Sequence, residues 1–310
     1  MNSKNHNIGS SRRSFAQTLL RLATDDARIY VVSMGLTPSL MLNDFAVRFP
    51  TRFIECGVAE NNAAAVAAGL GKTNKVVFLA TYSCFSPGIN WSVIKQSICE
   101  NYANVKIIGS HVGLLTQDLG ASHQMLEDLS LMRSLPNMQV FAPIDALETE
   151  KIITTISRSP LPAYVRLYRP STPNIYDSRL PFTIGKSHLL RHGVDLTIIG
   201  HGPILNYALE LESVSADIIN CSSIKPLDST TIIHSVLKTG RLICLEDHQK
   251  IGGLGEAVSS LLLSSGITCR FVHLAIDNRF GQSGTDYHQL YDHYGIGKND
   301  LINAIKGVML

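Results

Sequence analysis

The stretch Arg52-Phe53-Ile54-Glu55-Cys56-Gly57-Val58-Ala59-Glu60-Asn61-Asn62-Ala63-Ala64-Ala65-Val66-Ala67-Ala68-Gly69-Leu70-Gly71 decides how this chain is read. It gives a short apolar strand at Phe53 to Cys56, a turn at Gly57, and an alanine-rich helix that opens at Glu60. Alanine is the strongest helix former, and Ala63 to Ala68 leave a slim face that a second helix can approach closely. Glu60 falls in the first turn, where the helix dipole is positive. A first-turn glutamate is ordinarily a helix-stabilising acid, so its position alone assigns it no chemistry.

The same unit repeats outward from there. Strands are expected at Ile29–Ser33, Arg52–Cys56, Val76–Thr81, Val105–Ser110, Gln139–Ala142 and Ala163–Leu167. Helices are expected at Arg12–Ala23, Pro38–Arg48, Glu60–Leu70, Asn90–Glu100, Ser122–Ser134 and Asp145–Ser157. Near-continuous apolar strands such as Val76-Val77-Phe78-Leu79-Ala80 point to burial on both faces, as in a parallel sheet. A polar, proline-bearing linker runs from Arg169 to Pro181. A second alternation follows it, with strands at Leu196–Gly200, Asp217–Cys221, Arg241–Leu245 and Cys269–Leu274 and helices at Pro203–Ser213, Asp228–Lys238 and Gly255–Ser264. The expected fold is therefore α/β, with two doubly wound domains over residues 1–175 and 176–310.

Composition narrows the function classes. The chain has 310 residues, 45% apolar and 17% charged, with a formal charge of +2, enough for two ordinary cores. Positive charge is not concentrated in any run, which argues against a nucleic-acid surface. No apolar run is long enough to span a membrane, and Met1 to Ser11 lacks the apolar segment of a signal peptide. The six cysteines form no Cys-x-x-Cys pair, which favours a reducing cytoplasm. The eleven histidines lack zinc spacing, and the pair His288 and His293 reads as surface. Gly252-Gly253-Leu254-Gly255 lacks dinucleotide-binding spacing and reads as close helix–sheet packing. No Gly-x-Ser-x-Gly elbow offers a hydrolase nucleophile.

Taken together, several stretches resemble the second half of transketolase, a thiamine-diphosphate enzyme, over about residues 12 to 308. Gly57-Val58-Ala59-Glu60-Asn61-Asn62 is similar to the segment carrying that family's activating glutamate. Thr81-Tyr82-Ser83-Cys84-Phe85 is similar to its aromatic strand-to-loop segment, and Gly120-Ala121-Ser122-His123-Gln124 to its substrate-channel loop. Arg279-Phe280-Gly281-Gln282-Ser283-Gly284 resembles a signature of its C-terminal domain. The family's Gly-Asp-Gly motif, which holds diphosphate and a divalent metal, does not occur in this sequence. The resemblance therefore implies a split enzyme. This chain would be the pyrimidine-binding and C-terminal subunit, and a partner subunit, the transketolase N-terminal section, would carry Gly-Asp-Gly and the Mg2+ or Ca2+ ligands. It further implies a homodimer core within a heterotetramer acting on a small-molecule substrate.

The resemblance also distributes roles. Glu60 would hydrogen-bond the cofactor's pyrimidine ring nitrogen, a task for an acid able to hold a proton. Phe85 would stack on the pyrimidine with Tyr82 beside it, since flat aromatic faces suit a flat heterocycle. His123 and His111 would face the substrate channel and move or share protons. Arg169, Arg12 and Ser39 match positions that hold the substrate's phosphate, with Arg12 against Arg13 a choice of register. One departure stands out: where transketolases carry Gly-Glu-Asp-Gly, this chain has Gln117-Asp118-Leu119-Gly120. Leu119 cannot read a sugar hydroxyl, which puts the ordinary pentose-phosphate donor in question. The implied reaction moves a two-carbon ketol unit from a ketose or 2-oxo donor to an aldehyde. Two alternatives are a 2-oxoacid-using acyloin-forming or acyl-transferring enzyme and a non-catalytic scaffold.

Overall fold

The structure, a computed structural model, describes residues 7–310, so the polar run Met1 to His6 lies outside it. Two sheets organise the chain. The first has seven strands in the order Ser223–Lys225, Gln139–Phe141, Ala163–Arg166, Val105–Ser110, Val76–Tyr82, Ile29–Ser33 and Phe53–Glu55. All are parallel except Ser223–Lys225, which runs antiparallel at the edge. The second sheet has five: Arg270–Ile276, Arg241–Gln249, Leu196–Gly200, Ala216–Asn220 and an antiparallel His188–Arg191.

Alternate strand residues build different cores, which is why these segments read as unbroken apolar runs. Val31, Phe78, Ile108, Phe141 and Val165 meet Phe15 and Leu19 of helix Ser11–Asp25 and Ile152 and Ile153 of helix Ala146–Ile156. Val32, Leu79, Ile107 and Val140 face the other way, towards Ala63, Ala64, Ala67 and Ala68 of helix Glu60–Gly71. The alanine face admits the neighbouring segment Ile94–Cys99, whose Ile94 and Ile98 are fully buried. That same core continues into the second sheet through Ile199, Ile219 and Leu242, and onto Leu254 of helix Leu254–Ser264. The fold is a doubly wound α/β pair.

Several elements depart from the sequence reading. The helix expected from Pro38 forms only over Asn43–Arg48, because Met41 turns to a positive φ of 59° that no helix accommodates. The helix expected from Ser122 forms only over Asp128–Arg133; upstream, Gly113 N–H donates to the Met125 carbonyl, drawing the chain into a loop. Ile94–Cys99 is wound as a π-helix, and Pro203–Ser213 shortens to a 3-10 turn, Pro203–Leu205, with the single helical turn Asn206–Leu209. The edge strands His188–Arg191 and Ser223–Lys225 were not expected. At Gly252 to Gly255 the structure shows helix–sheet packing: Leu254 and Gly255 N–H donate to the Glu246 carboxylate at 2.8 and 2.9 Å. A Cβ on Gly253 would collide with that carboxylate. All six cysteines are free, and among the described residues no helix is long and apolar enough to cross a membrane.

Ionic groups are buried where the sheets meet. Arg166 is 0% exposed, with Nε 2.9 Å from Asp128 Oδ2 and Nη2 donating to the Asp247 carbonyl at 3.1 Å. Tyr164 O–H donates to Asp128 Oδ2 at 2.7 Å. Breaking one side of such a pair strands a charge away from water. Arg166→Met should therefore destabilise the fold by about 3–5 kcal/mol in urea denaturation; a loss under ~1 kcal/mol would show that Asp128 does not depend on this partner.

Candidate active site at the carboxyl edge of the first sheet

Five neighbouring strands of the first sheet each deliver one expected site residue at or beyond their carboxyl ends. Phe53–Glu55 leads to Glu60, Ile29–Ser33 to Ser39, and Val76–Tyr82 ends on Tyr82. Val105–Ser110 leads directly to His111, and Ala163–Arg166 leads to Arg169. In open α/β sheets ligands bind outside the carboxyl ends of the strands, in the crevice where successive loops diverge to opposite sides.

The centre is aromatic. Tyr82 and Phe85 lie parallel, with ring centroids 5.9 Å apart and planes 10° from one another. His111 packs on Tyr82 at 3.8 Å between centroids, and the His123 ring stands edge-on to Phe85 at 5.7 Å. His111 reaches this position through a positive φ of 56°, an uncommon conformation for a non-glycine residue. Its carbonyl accepts from Thr116 Oγ1 at 2.7 Å, and its Nδ1 lies 2.9 Å from Ser110 Oγ. Burial, reinforced by the positive charge of Arg12 and Arg169, pushes the His111 ring down to about 3.

Polar groups ring this cluster. Tyr82 O–H and Ser39 Oγ are 2.6 Å apart. Arg12 turns inward and donates to the carbonyls of Ser39 and Arg169, both at 2.7 Å, whereas Arg13 is exposed. Arg169 donates from Nη1 to the Thr116 carbonyl at 3.1 Å and is paired with the Asp118 carboxylate. Leu119 is half-buried at the end of the 3-10 segment Leu114–Leu119, one residue beyond Asp118.

Glu60 sits at the first position of helix Glu60–Gly71, with its carbonyl accepting from Asn90 Nδ2 at 3.1 Å. Among the described residues no side chain bonds its carboxylate. Its charge is felt in the aromatic loop: burial, with a smaller contribution from Glu60, pushes the Cys84 thiol up to about 11. The structure thus gathers Tyr82, Phe85, His111, His123, Arg12, Ser39 and Arg169 into one connected set. Glu60 reaches that set through the loop from Tyr82 to Asn90.

Sequence reading missed two groups here. Glu55 accepts from Gly35 N–H at 2.7 Å, Gly57 N–H at 2.9 Å and Thr37 Oγ1 at 2.9 Å, tying together two loops of the edge. Burial raises the Glu55 carboxyl, but those amides outweigh it and hold it below its ordinary value. A charged residue closing an apolar strand beside a glycine was the available signal. The second is Asp118, whose pairing with Arg169 joins loops far apart in sequence and leaves no local pattern.

The second domain shapes the loop that carries His111 to His123. Leu114 N–H donates to the Asp247 carboxylate at 3.1 Å, and Gly113, at φ 66°, lies where any Cβ would strike that carboxylate. Gln124 Nε2 donates to the carbonyls of Gln117 and Gln282 at 3.0 and 2.8 Å. A Cβ on Gly281 would strike Gln124, so the segment Gly281 to Ser283 is fitted against this loop. Among the described residues the one cluster of metal-type donors is Cys244, Glu246 and His273, inside the second domain. Its carboxylate already accepts from two amides and lies within 3.3 Å of the His201 and His273 rings.

Comparison with known proteins agrees with this architecture. Residues 10–174 match the transketolase pyrimidine-binding domain and residues 185–301 the transketolase C-terminal domain. The chain belongs to the transketolase family. It is 34% identical over 303 residues to one of the subunits of the apulose-4-phosphate transketolase of Phocaeicola vulgatus, covering 96% of each. It is 32% identical to human transketolase but spans only 49% of it. A split-gene transketolase solved as an inactive beta4 tetramer superposes with a TM-score of 0.88 at 34% identity, over 98% of this chain and 99% of that one.

A His whose folded value lies below the unfolded ~6.5 favours the fold in its neutral form. That contribution is complete above about pH 6.5 and is lost as pH falls towards 3. Ring NMR of His111 should accordingly show no titration between pH 5 and 8; a midpoint inside that window would contradict the buried, cation-flanked geometry.

Proposed function

We infer that this chain is one subunit of a split transketolase-like transferase. With a partner that carries Gly-Asp-Gly, it moves a two-carbon ketol unit from a ketose or related donor to an aldehyde. The observation that carries the reading is the delivery of Glu60, Ser39, Tyr82, His111 and Arg169 by five adjacent strands to one edge. The residues fit thiamine diphosphate in part: a stacked aromatic pair and an acid suit the aminopyrimidine, while the sequence has no Gly-Asp-Gly to hold diphosphate and metal. The metal ligands, for Mg2+ or Ca2+, are accordingly assigned to the partner. The inactive tetramer of the similar split-gene protein supports the need for that partner, as does the fact that its Phocaeicola relative is itself one subunit of a transketolase.

When bound, thiamine diphosphate supplies the nucleophilic carbon that ketol transfer requires. The chain's own residues position and protonate. Tyr82 and Phe85 offer a flat surface that would hold the pyrimidine. With the cofactor bound, Glu60 would hydrogen-bond a pyrimidine ring nitrogen and share a proton with it. His111, neutral at working pH, hydrogen-bonds substrate oxygens without adding charge. His123, standing edge-on to Phe85, moves protons at the substrate's hydroxyls. Arg169 takes the substrate's anionic tail, with Arg12 and Ser39 bracing the seat around it. Leu119 presents no hydrogen-bonding group beside that seat, which disfavours densely hydroxylated donors.

Glu60→Gln, assembled with the partner, thiamine diphosphate and Mg2+, should lower turnover by about 10²–10⁴-fold, the range for losing a positioned proton-transfer group. Near-normal turnover would remove Glu60 from the chemistry. In the same assay Leu119→Asp should shift donor preference towards polyhydroxylated ketose phosphates. An unchanged donor profile would show that Leu119 does not set selectivity.

A further inference from the structure

The anion seat at the sheet edge holds an anion of the chain's own. Arg169 is paired with Asp118: Nη1 meets Oδ1, and Nη2 lies 3.5 Å from Oδ2. Arg12 is spent on the carbonyls of Ser39 and Arg169, and Ser39 Oγ on Tyr82 O–H. The two partners of the ion pair are anchored differently. Arg169 is held by the Thr116 carbonyl at 3.1 Å, and its side chain is 31% exposed. The Asp118 side chain is 57% exposed and, among the described residues, hydrogen-bonds nothing but Arg169. Its backbone is fixed on both sides, by Leu114 on Asp247 and by Gln124 on Gln117 and Gln282. Gln117 just before it lies at φ 60° and ψ −114°, so the chain is bent sharply where Asp118 is presented.

Resting on the reading above, we propose that Asp118 is a specificity-determining residue, an internal occupant of the oxyanion seat that a substrate's tetrahedral anionic tail must displace from Arg169. An exposed ion pair of this kind is worth only about 0–1 kcal/mol, so displacement is feasible. It needs a side-chain rotation of Asp118 and no movement of the loop. The carboxylate nonetheless stays beside the seat and repels a bound dianion, a penalty that a neutral-tailed substrate escapes. Asp118 thereby narrows the advantage that Arg169 gives to phosphate- or sulfonate-bearing donors.

Inorganic phosphate is the probe, because its binding to the full chain can be followed calorimetrically without turnover. At low salt Asp118→Asn should tighten phosphate binding about three- to tenfold, and the gain should shrink at 0.5 M NaCl, where the Debye length is only a few ångströms. Adding Arg169→Gln to Asp118→Asn should abolish the gain. Asp118→Ser, which removes the charge without an amide, should behave like Asp118→Asn. Unchanged phosphate binding in both single variants would overturn the proposal, as would a gain that survives in the Arg169→Gln background. With the assembled pair, Asp118→Asn should lower KM for a ketose phosphate by a larger factor than KM for the unphosphorylated ketose; equal changes for both donors would overturn it. A pair without ketol transfer that still shows the Arg169-dependent gain would refute the transketolase reading and keep the role of Asp118.

Discussion

The Asp247 carboxylate is the constraint on which the rest of the molecule turns. It lies on strand Arg241–Gln249 of the second sheet, 3% exposed, and accepts from Leu114 N–H and Tyr291 O–H. Arg166 of the first sheet bonds the carbonyl of the same residue. Burial raises the Asp247 carboxyl, while Arg166, Leu114 and Tyr291 oppose that rise. A buried carboxylate without such partners would be costly, so each partner's position is fixed by the need to satisfy it. Leu114 stands three residues after His111 and four before Asp118. The second domain therefore sets the loop that lines the candidate site, even though it contributes none of the aromatic residues at its centre.

Much of the fold was legible because parallel strands buried on both faces announce themselves as apolar runs. Val105–Ser110, Ile29–Ser33 and Leu196–Gly200 form over the residues expected. The elements that were misread answer to distant partners. Ser223–Lys225 is too short to show a period and exists because it completes the edge beside Gln139–Phe141. The helix expected from Ser122 is cut short where Gln124 is drawn to Gln117 and Gln282. Local propensity carries no information about a partner 158 residues away.

The candidate site divides in the same way. Glu60, Tyr82 and Phe85 sit in segments whose pattern can be recognised, and strand order brings those segments to one edge of the sheet. The connected states of the polar groups could not be read in advance. The pairing of Arg169 with Asp118, the anchoring of Arg12 on two carbonyls and the clamp of Glu55 on two amides each join loops from different strands. Sequence proposed a set of residues for this edge; the fold shows what each is already holding and adds Glu55 and Asp118 to them.

The antiparallel strand Ser223–Lys225 has a consequence for how the chain can be divided. It comes from the C-terminal half yet is hydrogen-bonded to Gln139–Phe141 of the N-terminal half, and Lys225 Nζ donates to the Arg133 carbonyl at 2.9 Å. A cut in the linker near residue 180 would follow the family boundaries and still leave the first sheet with a bare strand edge at Val140 and Phe141. Unpaired apolar edges recruit other strands. An excised N-terminal half would therefore tend to self-associate through that edge.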